Sequence, residues 1–193
     1  MHSAEAYPTW PGIRFGVDFS VAPQYGFNSL GDKNGAEPTI FGLPRFHLTK
    51  GLWGNTELIF STMPFADHPG YTATGGIIKW SFHQEKSGWL SVAAFAGYTY
   101  VSAFRGDYTG NNFEFGVYAS KDYVRVKPYL GMNMLMAQGK IRPALSKTGV
   151  VSSMRGTLHV FIGFELAYPV TISAEFGLYN LTPTLGLFIG KRF

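Results

Sequence analysis

Apolar and polar residues alternate along most of this chain, which nevertheless contains no long apolar run. The clearest case is the stretch 157–168 (TLHVFIGFELAY), where every second residue from Leu158 to Leu166 is apolar. A period of two is that of a β-strand whose two faces meet different surroundings. Hydrophobic residues make up 46% of the chain and charged residues 15%, which is unusual for a soluble domain. No apolar run reaches the roughly 18 residues of a transmembrane helix. The pattern therefore predicts an all-β chain whose strands cross a membrane as a closed barrel.

The alternation predicts ten strands in a single domain, with residues 1–12 as an N-terminal periplasmic segment. Strand 2 is the least regular because Pro44 interrupts it, and eight strands are the alternative if strands 2 and 3 are misassigned. The connections alternate between long and short, as an antiparallel up-and-down barrel with long outer loops and tight periplasmic turns requires. The predicted strands are 13–22, 39–50, 56–63, 71–83, 89–104, 113–120, 124–137, 157–168, 170–179 and 183–193.

The last strand, 183–193 (PTLGLFIGKRF), has an outer apolar row of Leu185, Leu187 and Ile189 and ends on Phe193. It resembles the closing strand of Gram-negative outer-membrane β-barrels, in which the terminal aromatic is part of the signal read by the barrel assembly machinery. Lys191 departs from the pattern, because the family usually has another apolar residue there. The resemblance implies an outer-membrane location and the assembly machinery as a partner. The first ten residues lack an apolar segment, so either there is no signal peptide or it has been removed. We expect removal, because a barrel must be exported before it inserts.

Charged residues on the inner parity of the predicted strands are nearly balanced in sign. An unpaired charge inside a narrow barrel is costly, so the balance predicts mutual pairing. In an eight-stranded barrel, side chains just fill the interior, and a ten-stranded barrel is only modestly wider. We therefore expect a filled, salt-bridged lumen, with a narrow porin-like channel for small solutes as the alternative. The predicted lumen charge network is Arg14, Asp18, Arg45, Glu57, Lys79, Glu114, Arg125, Lys127, Glu165, Glu175 and Arg192.

Glycines also collect on the inner parity, next to large inner aromatic residues such as Tyr129, Phe161 and Phe188. Such rings could lie over neighbouring backbone where a side chain is missing. The composition thus favours tight barrel curvature over a glycine-lined ligand channel.

The best acid–base pair in the sequence is Asp67 with His68, in a predicted outer loop. Outer-membrane proteases and lipid A-modifying enzymes of this size carry Asp/His or Ser/His sets near the outer rim. No serine signature or second carboxylate cluster accompanies the pair, and His47 and His159 are expected to be lumen residues. We therefore predict a protein that is not an enzyme, with a rim hydrolase acting on lipid A or protein as an alternative. No cofactor is expected, and no close His/Asp/Glu constellation predicts a metal site.

The outer surface has two further candidate regions. Small and flexible side chains on the outer rows of strands 5 and 7 could pack against another protein surface or against lipid; these are Ala94, Ala96, Met132, Met134 and Met136. The predicted outer loop 138–156 carries four basic residues and no acidic one, which would attract it to the phosphates of lipopolysaccharide; they are Lys140, Arg142, Lys147 and Arg155. The basic residues do not alternate with exposed aromatics, so no nucleic acid partner is expected.

Together these features predict a non-enzymatic outer-membrane barrel acting in membrane structure, lipid association or surface interaction. A homo-oligomer with contacts through strands 5 to 7 is one form that this function could take.

Overall fold

A computed structural model shows a closed antiparallel barrel of ten strands, each paired with its neighbours in sequence and sealed by the pairing of β1 with β10. The structure describes residues 12–24, 39–63, 72–83, 90–103, 106–123, 125–142, 151–167 and 169–193. The strands are β1 Ile13–Gln24, β2 Thr39–Gly51, β3 Thr56–Thr62, β4 Thr72–His83, β5 Ser91–Ala103, β6 Tyr108–Ser120, β7 Val126–Ile141, β8 Val151–Ala167, β9 Thr171–Tyr179 and β10 Thr182–Arg192.

The predicted up-and-down barrel of ten strands is confirmed, and the eight-stranded alternative is wrong. Both β2 and β3 are present, although Pro44 lies within β2. Pro44 is in register with Phe19 of β1, whereas the pairing of β2 with β3 starts only at Phe46. Among the described residues Pro44 thus has a strand partner on one side only, which is where a residue without an N–H is tolerated.

The two ends of the barrel differ in their connections. We call the end where β1 begins and β10 finishes the terminal end, and the opposite end the loop end. Connections at the terminal end have at most seven residues (84–90), whereas the longest at the loop end, 25–38, has 14. In outer-membrane barrels the short turns are periplasmic and the long loops extracellular, so the terminal end corresponds to the periplasmic side.

Three strands extend at the loop end by four or more residues beyond the bounds that the sequence predicted. β6 begins at Tyr108 rather than at residue 113, and the predicted outer loop 138–156 is largely strand, because β7 runs to Ile141 and β8 starts at Val151. Tyr108, Ile141 and Val151 are in register with one another across these strands. The alternation is weak in these extensions because they rise above the apolar band, where both faces of a strand meet polar surroundings.

The two faces of the barrel wall differ as the alternation predicted. Outward side chains are apolar and exposed, for example Leu130 (62% exposed) and Ile162 (59%). Inward side chains on the same strands are buried, for example Tyr129 and Phe161 at 2%. A closed barrel with an apolar outer band and a polar interior is the architecture of a transmembrane barrel.

Among the described residues, no helix is long and apolar enough to span a membrane.

Candidate functional site

The half of the lumen nearer the terminal end is filled by side chains, which we call the plug. The plug combines charged and polar groups with aromatic rings, all less than 7% exposed. Its members are Arg14, Thr49, Glu57, Lys79, Ser81, Phe95, Tyr118, Tyr129, Phe161, Glu165 and Phe188.

The charges of the plug are arranged as opposed pairs. Lys79 Nζ lies 2.8 Å from Glu57 Oε2, and the two residues are direct register partners on β3 and β4. Arg14 Nη1 lies 3.9 Å from Glu165 Oε2 across the lumen. Because these four side chains are almost completely removed from water, mutual compensation is what makes their burial tolerable.

Aromatic rings of the plug lie directly over glycines of the wall, as the sequence suggested. A Cβ atom at Gly16 would collide with the ring of Phe188. At Gly163 it would lie 2.5 Å from both Tyr129 Cζ and the Ala174 carbonyl oxygen. The missing side chains thus let the rings pack directly against the backbone of the wall.

The half of the lumen nearer the loop end contains a cavity of about 610 Å³ lined by both polar and apolar side chains, which we call the cup. Its floor is formed by rings of the plug, including Tyr129 and Phe188. Its rim is formed by Arg155, Thr157 and residues of the turn between β9 and β10. The walls carry the ionisable residues Asp18, Arg45, His47, Glu114, His159 and Glu175 together with Tyr179.

One wall of the cup holds a cluster around Asp18. Arg45 donates from Nε to Oδ1 (3.3 Å) and from Nη2 to Oδ2 (3.0 Å) of the Asp18 carboxylate. His47 Nε2 lies 2.7 Å from Asp18 Oδ2. Because a carboxylate only accepts, His47 Nε2 carries a proton, and when the ring is neutral its Nδ1 is an acceptor. Nδ1 is buried and has no hydrogen-bond partner among the described residues.

A second wall holds a chain of three side chains from β6, β7 and β8. Asn133 Nδ2 donates to Glu114 Oε2 (3.2 Å), and Asn133 Oδ1 lies 2.9 Å from His159 Nδ1. Asn133 turns its amide nitrogen to Glu114 and its carbonyl oxygen to His159. His159 Nδ1 therefore carries a proton, and when the ring is neutral its Nε2 is an acceptor. His159 Nε2 is buried and has no partner in the described part of the chain. The imidazole ring stacks on Tyr179 with centroids 3.8 Å apart.

Glu175 of β9 completes the acidic side of the cup. Tyr129 donates from its hydroxyl to Glu175 Oε2 at 3.3 Å, which connects the cup to the aromatic floor. Asn133, His159 and Tyr179 lie in one register row across β7, β8 and β9. The sequence placed these residues on the inner parity, but the register that brings them into contact is not visible in any single strand.

The remaining predicted lumen charges lie near the terminal end. Arg125 is exposed in the turn before β7, so its placement inside the lumen is corrected. The predicted strand began at residue 124, so the alternation of inward and outward residues was applied to Arg125, which precedes the first residue of β7. Lys127 Nζ pairs with Asp122 Oδ2 at 2.9 Å, and both are partly exposed. Arg192 is exposed at the mouth, in register with Arg14.

The predicted basic outer loop is not a single loop. Lys140 lies in β7, Arg142 directly after that strand, and Arg155 in β8 at the rim of the cup. Lys147 lies outside the described residues. So do Asp67 and His68, the pair considered for a rim hydrolase.

The predicted lipid or oligomer face points outward. Ala94 is in register with Val117 of β6, and Val117 with Met132 of β7. Met134 and Ala96 are exposed in the next row, while Met136 is half-buried. At this face an outward apolar groove of about 410 Å³ runs over β5 to β9 and includes Val117, Met132 and Val160 in its lining.

The end of the chain packs against the first strand. The Phe193 backbone N–H donates to the Ile13 carbonyl (2.9 Å), and the Phe193 ring meets that of Phe15 edge to face with centroids 6.2 Å apart. Lys191 Nζ lies 5.4 Å from the centre of the Phe193 ring. Lys191, at a position where an apolar residue was expected, thus packs its ammonium group against the ring of the terminal Phe193.

No group of three or more His, Asp or Glu residues that could hold a metal ion occurs among the described residues.

Comparisons with known proteins find similar barrels but no assignable family. No family model matches the sequence, and no curated protein matches it. Among solved structures, the attachment invasion locus protein Ail of Yersinia pestis is 10% identical, with 92% of this chain and 93% of that chain covered and a TM-score of 0.40. Neisserial surface protein A is 13% identical, with coverages of 94% and 97% and a TM-score of 0.35. Omp33 of Acinetobacter baumannii is 11% identical, with coverages of 94% and 98% and a TM-score of 0.35.

These likenesses are in general architecture, and the fold assignment rests on the strands of this chain. A closed ten-stranded wall, an apolar outer band and a polar interior together define its class. The chain is a transmembrane β-barrel of the outer-membrane type.

Proposed function

We propose that this protein is a non-enzymatic outer-membrane barrel that conducts no solutes and acts by surface interaction at its loop end. The plug is the observation that carries the proposal. Glu57, Lys79 and Tyr129 are at most 2% exposed, and paired charges and rings occupy the cross-section between them. We expect a lumen packed in this way to block solutes, which leaves the loop end as the side on which the protein acts.

The uneven rim at the loop end supports a role in binding. The part of β8 from Val151 to Thr157 pairs with β7 but not with β9, which ends at Tyr179. Among the described residues nothing pairs with this free edge, and an unpaired edge is a template for another extended chain. Lys140, Arg142 and Arg155 make this side of the rim basic, which favours anionic partners such as the phosphates of lipopolysaccharide.

Single-channel recording in planar bilayers tests the proposal. We expect the purified wild-type protein to give no discrete conductance steps. A Phe161→Ala/Phe188→Ala variant, which removes two rings of the plug, is the positive control, and its folding is checked by heat-dependent mobility in SDS gels. Steady conductance of the wild-type protein would overturn the proposal and favour a narrow porin-like channel.

A second candidate is a homo-oligomer that contacts through the outer face of β5 to β7. It is favoured by the apolar groove beside Val117 and Met132, which a second barrel or a lipid chain could fill. Native mass spectrometry in mild detergent should show a defined multimer, and an Ala94→Phe/Ala96→Phe variant should break it. A wild-type monomer, or a multimer that the double variant leaves intact, would reject this candidate.

A further inference from the structure

We propose that the cup is a binding site for a small organic cation of the diamine or polyamine class. This inference goes beyond the proposed function, since it concerns a ligand held inside the barrel rather than a partner on its rim. The cup is large enough for such a molecule, at about 610 Å³, and combines polar walls with aromatic rings.

The charges of the cup favour a cation. Asp18 is compensated by Arg45 within its own cluster, and Lys79, at the floor, is paired with Glu57 of the plug. Glu114 has no ion-pair partner within 4 Å among the described residues, and its one hydrogen bond there comes from the neutral amide of Asn133. Glu175 adds a second carboxylate, whereas Arg155 is exposed at the rim. A carboxylate in a partly desolvated cavity gains most from a ligand that brings a positive charge.

The hydrogen-bonding groups of the cup favour a donor. His47 Nδ1 is buried and has no partner in the described part of the chain, and the His47 ring lines the cup. In the neutral ring this nitrogen is an acceptor, and a ligand N–H would relieve the cost of its burial. His159 Nε2 also has no partner there, but it lies against Gly177 of the wall, where a Cβ atom would collide with it. An ammonium group brings three donors and no acceptor. A sugar would bring as many acceptors as donors, and an anion would be repelled by Glu114.

The rings of the cup favour an apolar spacer between charged groups. Tyr179, Tyr118 and Phe95 line the cavity between the polar walls. Methylene groups pack against such rings, and an ammonium is attracted to the face of a tyrosine. A short diamine offers both features, and its two ends could reach Glu114 and Glu175.

Isothermal titration calorimetry of the full chain in mild detergent, with 1,4-diaminobutane as the probe, tests this proposal. The matched controls are 1,4-butanediol, which has the same length without charge, and succinate, which has the opposite charge. We expect saturable binding of the diamine alone, and binding that is at least about tenfold weaker in Glu114→Gln, because a charge-assisted hydrogen bond is lost. Asp122→Asn removes a carboxylate near the terminal end instead and should bind as the wild type does.

Three results would overturn the proposal. They are absence of diamine binding to the wild type, equal binding of the diol, and wild-type affinity in Glu114→Gln. If Glu114→Gln does not fold, as judged by heat-dependent mobility, Glu175→Gln takes its place. That variant removes the other carboxylate of the acidic side of the cup, on β9, and the same weakening is expected from it.

Discussion

The buried pair of Glu57 and Lys79 allows the most quantitative test of the plug. Replacing Glu57 with Gln keeps the shape of the side chain but leaves the Lys79 ammonium, 2.8 Å away, without its compensating charge. Neither side chain is more than 2% exposed, so water cannot screen the ammonium that remains. Removing one member of a buried pair typically costs about 3–5 kcal/mol. Because Gln can still accept a hydrogen bond, we expect a loss near the lower end, about 3 kcal/mol.

The double variant Glu57→Gln/Lys79→Met separates charge from packing. Since it removes both charges, most of the lost stability should return, as happens when buried pairs are replaced by groups of similar volume. The free energy of unfolding is measured by urea titration in detergent micelles, with tryptophan fluorescence as the signal. The control is Asp122→Asn, which breaks the partly exposed pair with Lys127 and should cost no more than about 1 kcal/mol.

Two results would refute this reasoning. If Glu57→Gln costs no more than the Asp122→Asn control, Lys79 is compensated by water or another group, or is neutral, and the pair does not carry the stability assigned to it. If the double variant is as unstable as the single one, the loss comes from packing and not from an uncompensated charge.

Two further predictions concern the wall and the chain terminus. Gly163→Ala should destabilise the barrel by about 1–3 kcal/mol, because its Cβ would lie 2.5 Å from the Ala174 carbonyl oxygen of the wall. Gly186→Ala, where the nearest atom would be 3.6 Å away, should be nearly neutral in the same urea titration. Phe193→Ala should reduce the amount of folded barrel in cells while leaving refolding in detergent largely intact, as measured by heat-dependent mobility. Normal cellular assembly of that variant would reject a role of the terminal aromatic in recognition.

The alternation of the sequence was sufficient to predict the barrel, the number of strands and the face on which each central residue lies. It predicted that the side chains of two pairs of residues point inward; the pairs are Glu57 with Lys79 and Asp18 with Arg45. It could not predict that the members of each pair are direct register partners, because register depends on how two separate strands align.

The sequence predicted neither the cup nor the rim, and the physical reason differs between the two. His159 was expected to be an ordinary lumen residue, since its contacts with Asn133 and Tyr179 come from two other strands. The rim was misassigned as a loop because strands that rise above the membrane lose the contrast between apolar and polar faces. Arg125 was predicted to lie in the lumen because the strand pattern was applied to a turn, where alternation in sequence no longer specifies which way a side chain points.

The central claim, a sealed terminal half beneath a cup open at the loop end, is tested most directly by cysteine labelling. The chain has no cysteine, so single substitutions give clean reporters. Thr157→Cys, on the rim of the cup, should react with a membrane-impermeant maleimide added to intact cells. Ser81→Cys, buried in the plug, should react from neither side until the protein is unfolded. Labelling of Ser81→Cys in the folded barrel would show that water reaches the plug and would contradict the account.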